Sequence, residues 1–309
     1  MLLQTVEING ENRYLCKERG FLAVYAEGEL LGRLPLDDLG LVLAAGHGLT
    51  YSNNLLLELS RRGVPLVVCD RGMRPAALFW PLESHRQQGQ RLAAQAAASL
   101  PQKKRLWQEL VQAKIEMQAL VAASRGVPSG HLEALPRAVR SGDIGNVEAV
   151  AAKLYWKLLF GPRFLRDRKA DGVNALLNYG YTVLRGLMAR SVMLAGLHPS
   201  FSLHHSTERN ALALVDDLME PFRPMVDLMV LALMDAGEQE PSPLARTSLA
   251  ALPVLDMKLR KGTTTVVETT KNLAASLADT LLGKRKKLLL PRTLPEISLP
   301  EELMESPPC

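Results

Sequence analysis

Three short stretches hold acids or histidines in company that could do chemistry. Glu148 precedes a run of small alanines, Ala149, Ala151 and Ala152, which lets another segment or a substrate come close. His204 and His205 are adjacent, so at most one of them can face a given point on regular backbone. Asp216, Asp217 and Glu220 lie three and four apart, on one side of a helix, where like charges repel unless a cation or arginines compensate them. Two carboxylates and one imidazole form an oxygen-rich set that suits Mg²⁺ or Mn²⁺ better than zinc, which prefers thiolates and more histidines. Such an ion would serve phosphodiester chemistry. Each stretch alone also admits a plainer role: a glutamate on a helix dipole, a capping histidine, an acidic helix end in solvent.

Basic residues strengthen the phosphodiester reading. Arg163, Arg166, Arg168 and Lys169 follow the Glu148 segment, and Arg223 lies three residues beyond Glu220. Guanidinium forks match phosphate oxygens, and a positive field concentrates DNA. Asn178, with Asn174, Tyr179 and Tyr181, supplies donors and ring surface in the next helix; a solvated basic loop and ordinary core packing are the plainer readings. The net charge of +5 permits nucleic-acid binding without establishing it. Three cysteines, Cys16, Cys69 and Cys309, are odd in number and give no C-x-x-C, which argues against a disulfide framework and structural zinc.

The elements that must position these groups fall into two parts. Residues 1–84 read as strand-rich, with apolar runs at 2–8, 14–34, 39–45, 64–69 and 76–80, a turn at Arg71-Gly72, and a short helix capped by Ser52 or Asn53 and stopped at Gly63. From residue 85 the pattern turns helical, as in Leu106, Leu110, Ala113 and Met117, with a break near Pro101, a loop at 126–137, and helices onward to about 283. Pro221 and Pro224 should stop or kink the helix just past Glu220. The expected fold is α+β and multidomain: a small β-rich N-terminal domain over 1–84, a larger all-α domain over 85–285, and a proline-rich, flexible tail over 286–309. The longest membrane candidate, 225–234, is short and carries Asp227, and Glu7 and Glu11 stand where a secretion signal would be apolar, so a cytoplasmic protein is expected.

Taken in order, residues 148–156, 171–181, 196–205 and 217–224 resemble the acidic helix, central helix, histidine segment and second acidic segment of the CRISPR-associated endonuclease and integrase of spacer acquisition. This is the larger universal adaptation protein, or Cas-one family, here most like the variants of type II systems. The resemblance implies that Glu148, His205 and Glu220 hold Mg²⁺ or Mn²⁺. His205 is preferred because it takes the last position of the histidine motif, and Glu220 stands where many members carry Asp. It places Asp217, His204 and Asn178 in support of those ligands. It further implies a homodimer paired through the β-rich domain, which joins the smaller Cas-two protein in a heterohexamer on double-stranded DNA, both the foreign fragment and the CRISPR repeat. The rival readings are a stand-alone metal-dependent nuclease and a DNA-binding scaffold whose acids are structural.

Overall fold

The computed structural model describes residues 3–70, 75–79, 81–205 and 210–300. The expected Arg71-Gly72 turn, Trp80 and Cys309 lie outside them. Two four-stranded sheets are built from β1 (Gln4–Ile8), β2 (Arg13–Glu18), β3 (Phe21–Ala26), β4 (Glu29–Pro35), β5 (Leu39–Ala44), β6 (Thr50–Tyr51), β7 (Leu66–Cys69) and β8 (Pro75–Phe79). One runs in the order β1-β5-β7-β8, parallel except for β8, and the other in the order β4-β3-β2-β6. The helix α1 (Asn53–Arg61) begins where the Ser52 hydroxyl accepts the Leu55 N–H, so Ser52 rather than Asn53 is its cap.

Strand β5 is buried along its whole length because it serves two cores. Val42 and Ala44 pack with Leu15, Leu22, Leu55 and Leu59 between the sheets and α1. Leu41 and Leu43, on the opposite face, pack with the helices.

The helical part contains α2 (Gln88–Ala96), α3 (Leu100–Ser124), α4 (Gly130–Ala134), α5 (Val147–Phe160), α6 (Val173–Leu194), α7 (Ala213–Met219), α8 (Arg223–Asp235), α9 (Pro243–Ala250) and α10 (Val266–Leu281). The break near Pro101 is the start of α3: Ser99 accepts the Gln102 N–H, and the proline sits in the first turn, where no N–H is needed. A β-rich N-terminal region followed by a mostly helical one is the expected fold class. Two local expectations differ. Within 126–137, expected as loop, Gly130–Ala134 is helical and Leu135–Ala138 forms a 3₁₀ turn. Strands β9 (Asp256–Lys258) and β10 (Thr263–Thr265) form a ribbon inside the region expected to be all helix.

The expected flexible tail is also corrected, as far as residue 300. Leu288 and Leu289 donate backbone N–H bonds to Glu109 and to the Ser276 hydroxyl. Pro295 bridges to Met257, and Leu290, Leu294, Ile297 and Leu299 pack on the helical core. The prolines forbid a helix here but not a docked extended strap, and the leucines between them supply its adhesive face.

The central helix α6 has close neighbours that require glycine. A Cβ at Gly186 would come within 2.6 Å of Leu41, and one at Gly180 within 2.4 Å of Val226. Gly180→Ala should therefore lower stability by about 1–3 kcal/mol despite the better helix propensity of alanine, read as a drop in the urea midpoint.

Candidate active site

Glu148 is in the first turn of α5. The chain reaches it through left-handed residues at Gly142, Asp143 and Asn146. The Asp143 carboxylate accepts the backbone N–H groups of Val147 and Glu148, both at 3.0 Å, and so caps the helix and fixes where Glu148 emerges. Glu220 is at the junction of α7 and α8. As the prolines predict, the helix breaks there: Glu220–Phe222 forms a 3₁₀ turn, with Pro224 in the first turn of α8.

The two acids meet on one lysine that the sequence pattern did not single out. Lys114 Nζ, in the middle of α3, is 2.6 Å from Glu148 Oε1 and 2.6 Å from Glu220 Oε2. The carboxylate oxygens are therefore within twice that distance of each other. Arg223 Nε donates to Glu220 Oε1 at 2.7 Å, while Oε2 is buried, outside ideal hydrogen-bond alignment, and paired with the Lys114 ammonium at 2.6 Å. Burial would raise the Glu220 pKa, but Arg223 and Lys114 outweigh it and hold the carboxyl down at about 2. Burial likewise opposes the charge on Lys114, and Glu220 and Glu148 overcome it, leaving its pKa raised.

His205 is organised by Asp217, which is fully buried. The carboxylate accepts the backbone N–H groups of Leu203, His204 and His205 at 2.6, 3.0 and 3.1 Å, and also contacts His205 Nδ1 at 2.6 Å. With Nδ1 committed to Asp217, Nε2 is the ring nitrogen left for a ligand. The Asp217 hydrogen bond raises the His205 pKa, against the effect of burial. Trp107 and the two histidines form one ring cluster: His204 stacks flat on the indole at 4.4 Å, His205 meets the indole edge-on at 5.6 Å, and the two imidazoles meet edge-on at 5.7 Å. The continuation of this segment, 206–209, lies outside the described residues.

The expected ligands are thus drawn together unequally. Glu148 and Glu220 converge, whereas His205 is turned to Asp217, within electrostatic reach of Glu220. Among the described residues no three His, Cys, Asp or Glu side chains close on one cation position. The residues present nevertheless fit a hard divalent ion in kind: two carboxylates already share one cationic partner, a buried carboxylate oxygen lacks an aligned donor, and an imidazole has one nitrogen uncommitted.

The expected DNA contacts divide. Arg163, Arg168 and Lys169 are exposed. Arg166 and Arg223 turn inward instead. Arg166 donates to Asn174 and Asn178 at 2.8 and 2.6 Å and lies over the Tyr181 ring, and Arg223 lies over the same ring at 4.8 Å. Asn178 also donates to the Arg168 carbonyl, so it ties the basic loop to α6.

Beneath the site, Asp227 accepts hydrogen bonds from Tyr155 and Tyr181. Burial raises its pKa to about 6, although both tyrosines favour the ionised form. A carboxyl raised in the folded state stabilises most below its ordinary pKa and loses that contribution as pH climbs through the folded value. Stability of Asp227→Asn relative to the native chain should therefore improve between pH 4 and 7 by about 3 kcal/mol, measured by urea unfolding across that range.

No helix among the described residues is long and apolar enough to cross a membrane. Residues 6–265 match the family described as CRISPR associated protein Cas1. The CRISPR-associated endonuclease Cas1 of Neisseria meningitidis serogroup C (strain 8013) is 35% identical over 286 residues, which cover 91% of this chain and 93% of that protein. The CRISPR-associated endonuclease Cas1 2 of Pyrobaculum aerophilum is 30% identical over 67% of this chain and 75% of its own. A Cas1 protein of Thermotoga maritima shares the fold at a TM-score of 0.76, with 15% identity over 92% of this chain and 98% of that one. A casposase bound to an integration product shares it at 0.75, with 20% identity over 92% of each chain. Matched over most of its length by the family and by a 35% identical relative, the chain belongs to the Cas1 family of CRISPR-associated proteins.

Proposed function

We propose that the chain is a metal-dependent DNA endonuclease and integrase that inserts foreign fragments into a CRISPR array, in the cytoplasm. The observation that carries this reading is the meeting of Glu148 and Glu220 beside the Asp217-held His205, in a member of the Cas1 family. Glu148, Glu220 and His205 Nε2 would hold Mg²⁺ or Mn²⁺. When bound, the ion would polarise a phosphoryl oxygen and neutralise charge that develops there.

In the joining reaction, the 3′-hydroxyl oxygen of the fragment forms a bond to phosphorus at the edge of the repeat. The bond from phosphorus to the repeat strand's own 3′-oxygen breaks. One phosphodiester replaces another, so no nucleotide cofactor is consumed. With water as the attacking group the same site hydrolyses DNA. Asp217 keeps the His205 ring in one orientation and one tautomer. Asp143 fixes the start of the helix that carries Glu148. Arg163, Arg168 and Lys169 supply exposed charge for the DNA backbone, while Arg166 and Arg223 brace the site from within.

Under this reading the protein works as a homodimer, in a heterohexamer with the smaller Cas-two protein. The names of structural relatives support Cas2 and DNA as the partners: a Cas6-RT-Cas1–Cas2 complex and a TtCas1–DNA complex share the fold.

Glu148→Ala should lose strand joining of a labelled fragment to repeat DNA by at least about 100-fold in Mn²⁺ while still binding DNA. Joining at the native rate would remove Glu148 from the mechanism, and shortened products without joined ones in the native protein would reduce the function to a nuclease. Replacing Arg163, Arg168 and Lys169 by alanine should weaken DNA binding at all sequences. The salt dependence should flatten by about 0.9 in log–log slope for each phosphate that is no longer neutralised. An unchanged slope would place the DNA elsewhere.

A further inference from the structure

Lys114 has no part in the chemistry described so far, yet it occupies the centre of the site. Its side chain is 12% exposed and lies on a helix whose neighbouring positions Leu110, Val111, Ala113, Ile115 and Met117 are buried hydrophobics. A lysine in such surroundings needs a partner, and Lys114 has two: Glu148 and Glu220, each at 2.6 Å. With Arg223 on the far side of Glu220, the set holds two carboxylates and two cations and its formal charges cancel.

A divalent ion added to this balanced set would leave it with an excess of positive charge, which is costly in a partly dry site. One cation has to withdraw. Arg223 is fixed twice, by its bond to Glu220 three residues earlier and by the Tyr181 ring under its guanidinium. Lys114 sits on a flexible four-carbon stem, and its contact with Glu220 Oε2 lacks hydrogen-bond alignment.

We propose that Lys114 is a built-in stand-in cation: its ammonium keeps Glu148 and Glu220 together before the divalent ion arrives, and yields its place when the ion binds. Lys114 is then a positioning residue that sets metal affinity. The inference rests on the metal reading of these two acids given above.

The test measures Mn²⁺ alone binding to the full chain, by the loss of the free-ion electron paramagnetic resonance signal. Lys114→Met should bind Mn²⁺ on the order of tenfold more tightly than the native chain, because a competing charge is gone. Its thermal midpoint should rise more on Mn²⁺ addition than the native midpoint does. Lys114→Arg, which keeps the charge, should bind no more tightly than the native chain. Equal affinity in Lys114→Met and the native chain overturns the stand-in role and leaves the metal reading intact. Absence of Mn²⁺ binding in both overturns both. Should Lys114→Met fail to fold, the native protein decides. Acetylation of Lys114 by acetic anhydride, read by mass spectrometry against the other lysines, should increase on saturation with Mn²⁺. Unchanged reactivity overturns the displacement.

Discussion

Two ionised carboxylates brought together in a protein interior need positive charge beside them. Here that charge is one ammonium and one guanidinium. Lys114 joins α3 to the start of α5 and to the turn between α7 and α8, and Arg223 secures Glu220 from the other side. Stripping one partner from a buried pair typically costs about 3–5 kcal/mol, because the remaining charge is left uncompensated. The same contacts that balance the charge therefore hold three helical segments in register. The site and the packing of the helical region are one problem with one solution.

Around this centre two further acids, Asp143 and Asp217, act on backbone. Asp143 binds the two N–H groups that open α5 and so decides where Glu148 points. Asp217 gathers three successive N–H groups of the histidine segment and the Nδ1 of His205. A segment without regular structure would otherwise leave those donors unpaired beside a buried helix. The Asp217 contact and the Trp107 stack also give adjacent histidines different environments, which their shared sequence position could not.

Much of the fold was legible in the chain. The change from strand-like runs to helical periodicity near residue 80, a helix cap at Ser52 or Asn53, a helix boundary near Pro101 and the break after Glu220 all follow from local rules of periodicity, capping and proline geometry, and the structure chose Ser52 as the cap. The β9–β10 ribbon was not legible, since three-residue strands carry too few alternations to distinguish from a loop. The tail misled because proline content signals only the absence of helix. Whether an extended segment docks depends on the surface beneath it, and here Glu109, Ser276 and Met257 provide one.

The sequence by itself determined the types of group available: two well-separated acidic segments, a histidine pair, a basic loop, and a family resemblance that their order carries. Those are properties of residue identity and spacing, fixed before any tertiary contact forms. Only the tertiary structure decided which of them meet. It brought Lys114 between Glu148 and Glu220, turned Arg166 and Arg223 inward while leaving Arg163, Arg168 and Lys169 outside, and gave His205 to Asp217. The physical reason is that charge compensation acts through space. A lysine 34 positions before one acid and 106 before the other leaves no periodic trace of its partners, beyond being a charge set into an otherwise buried helical stripe.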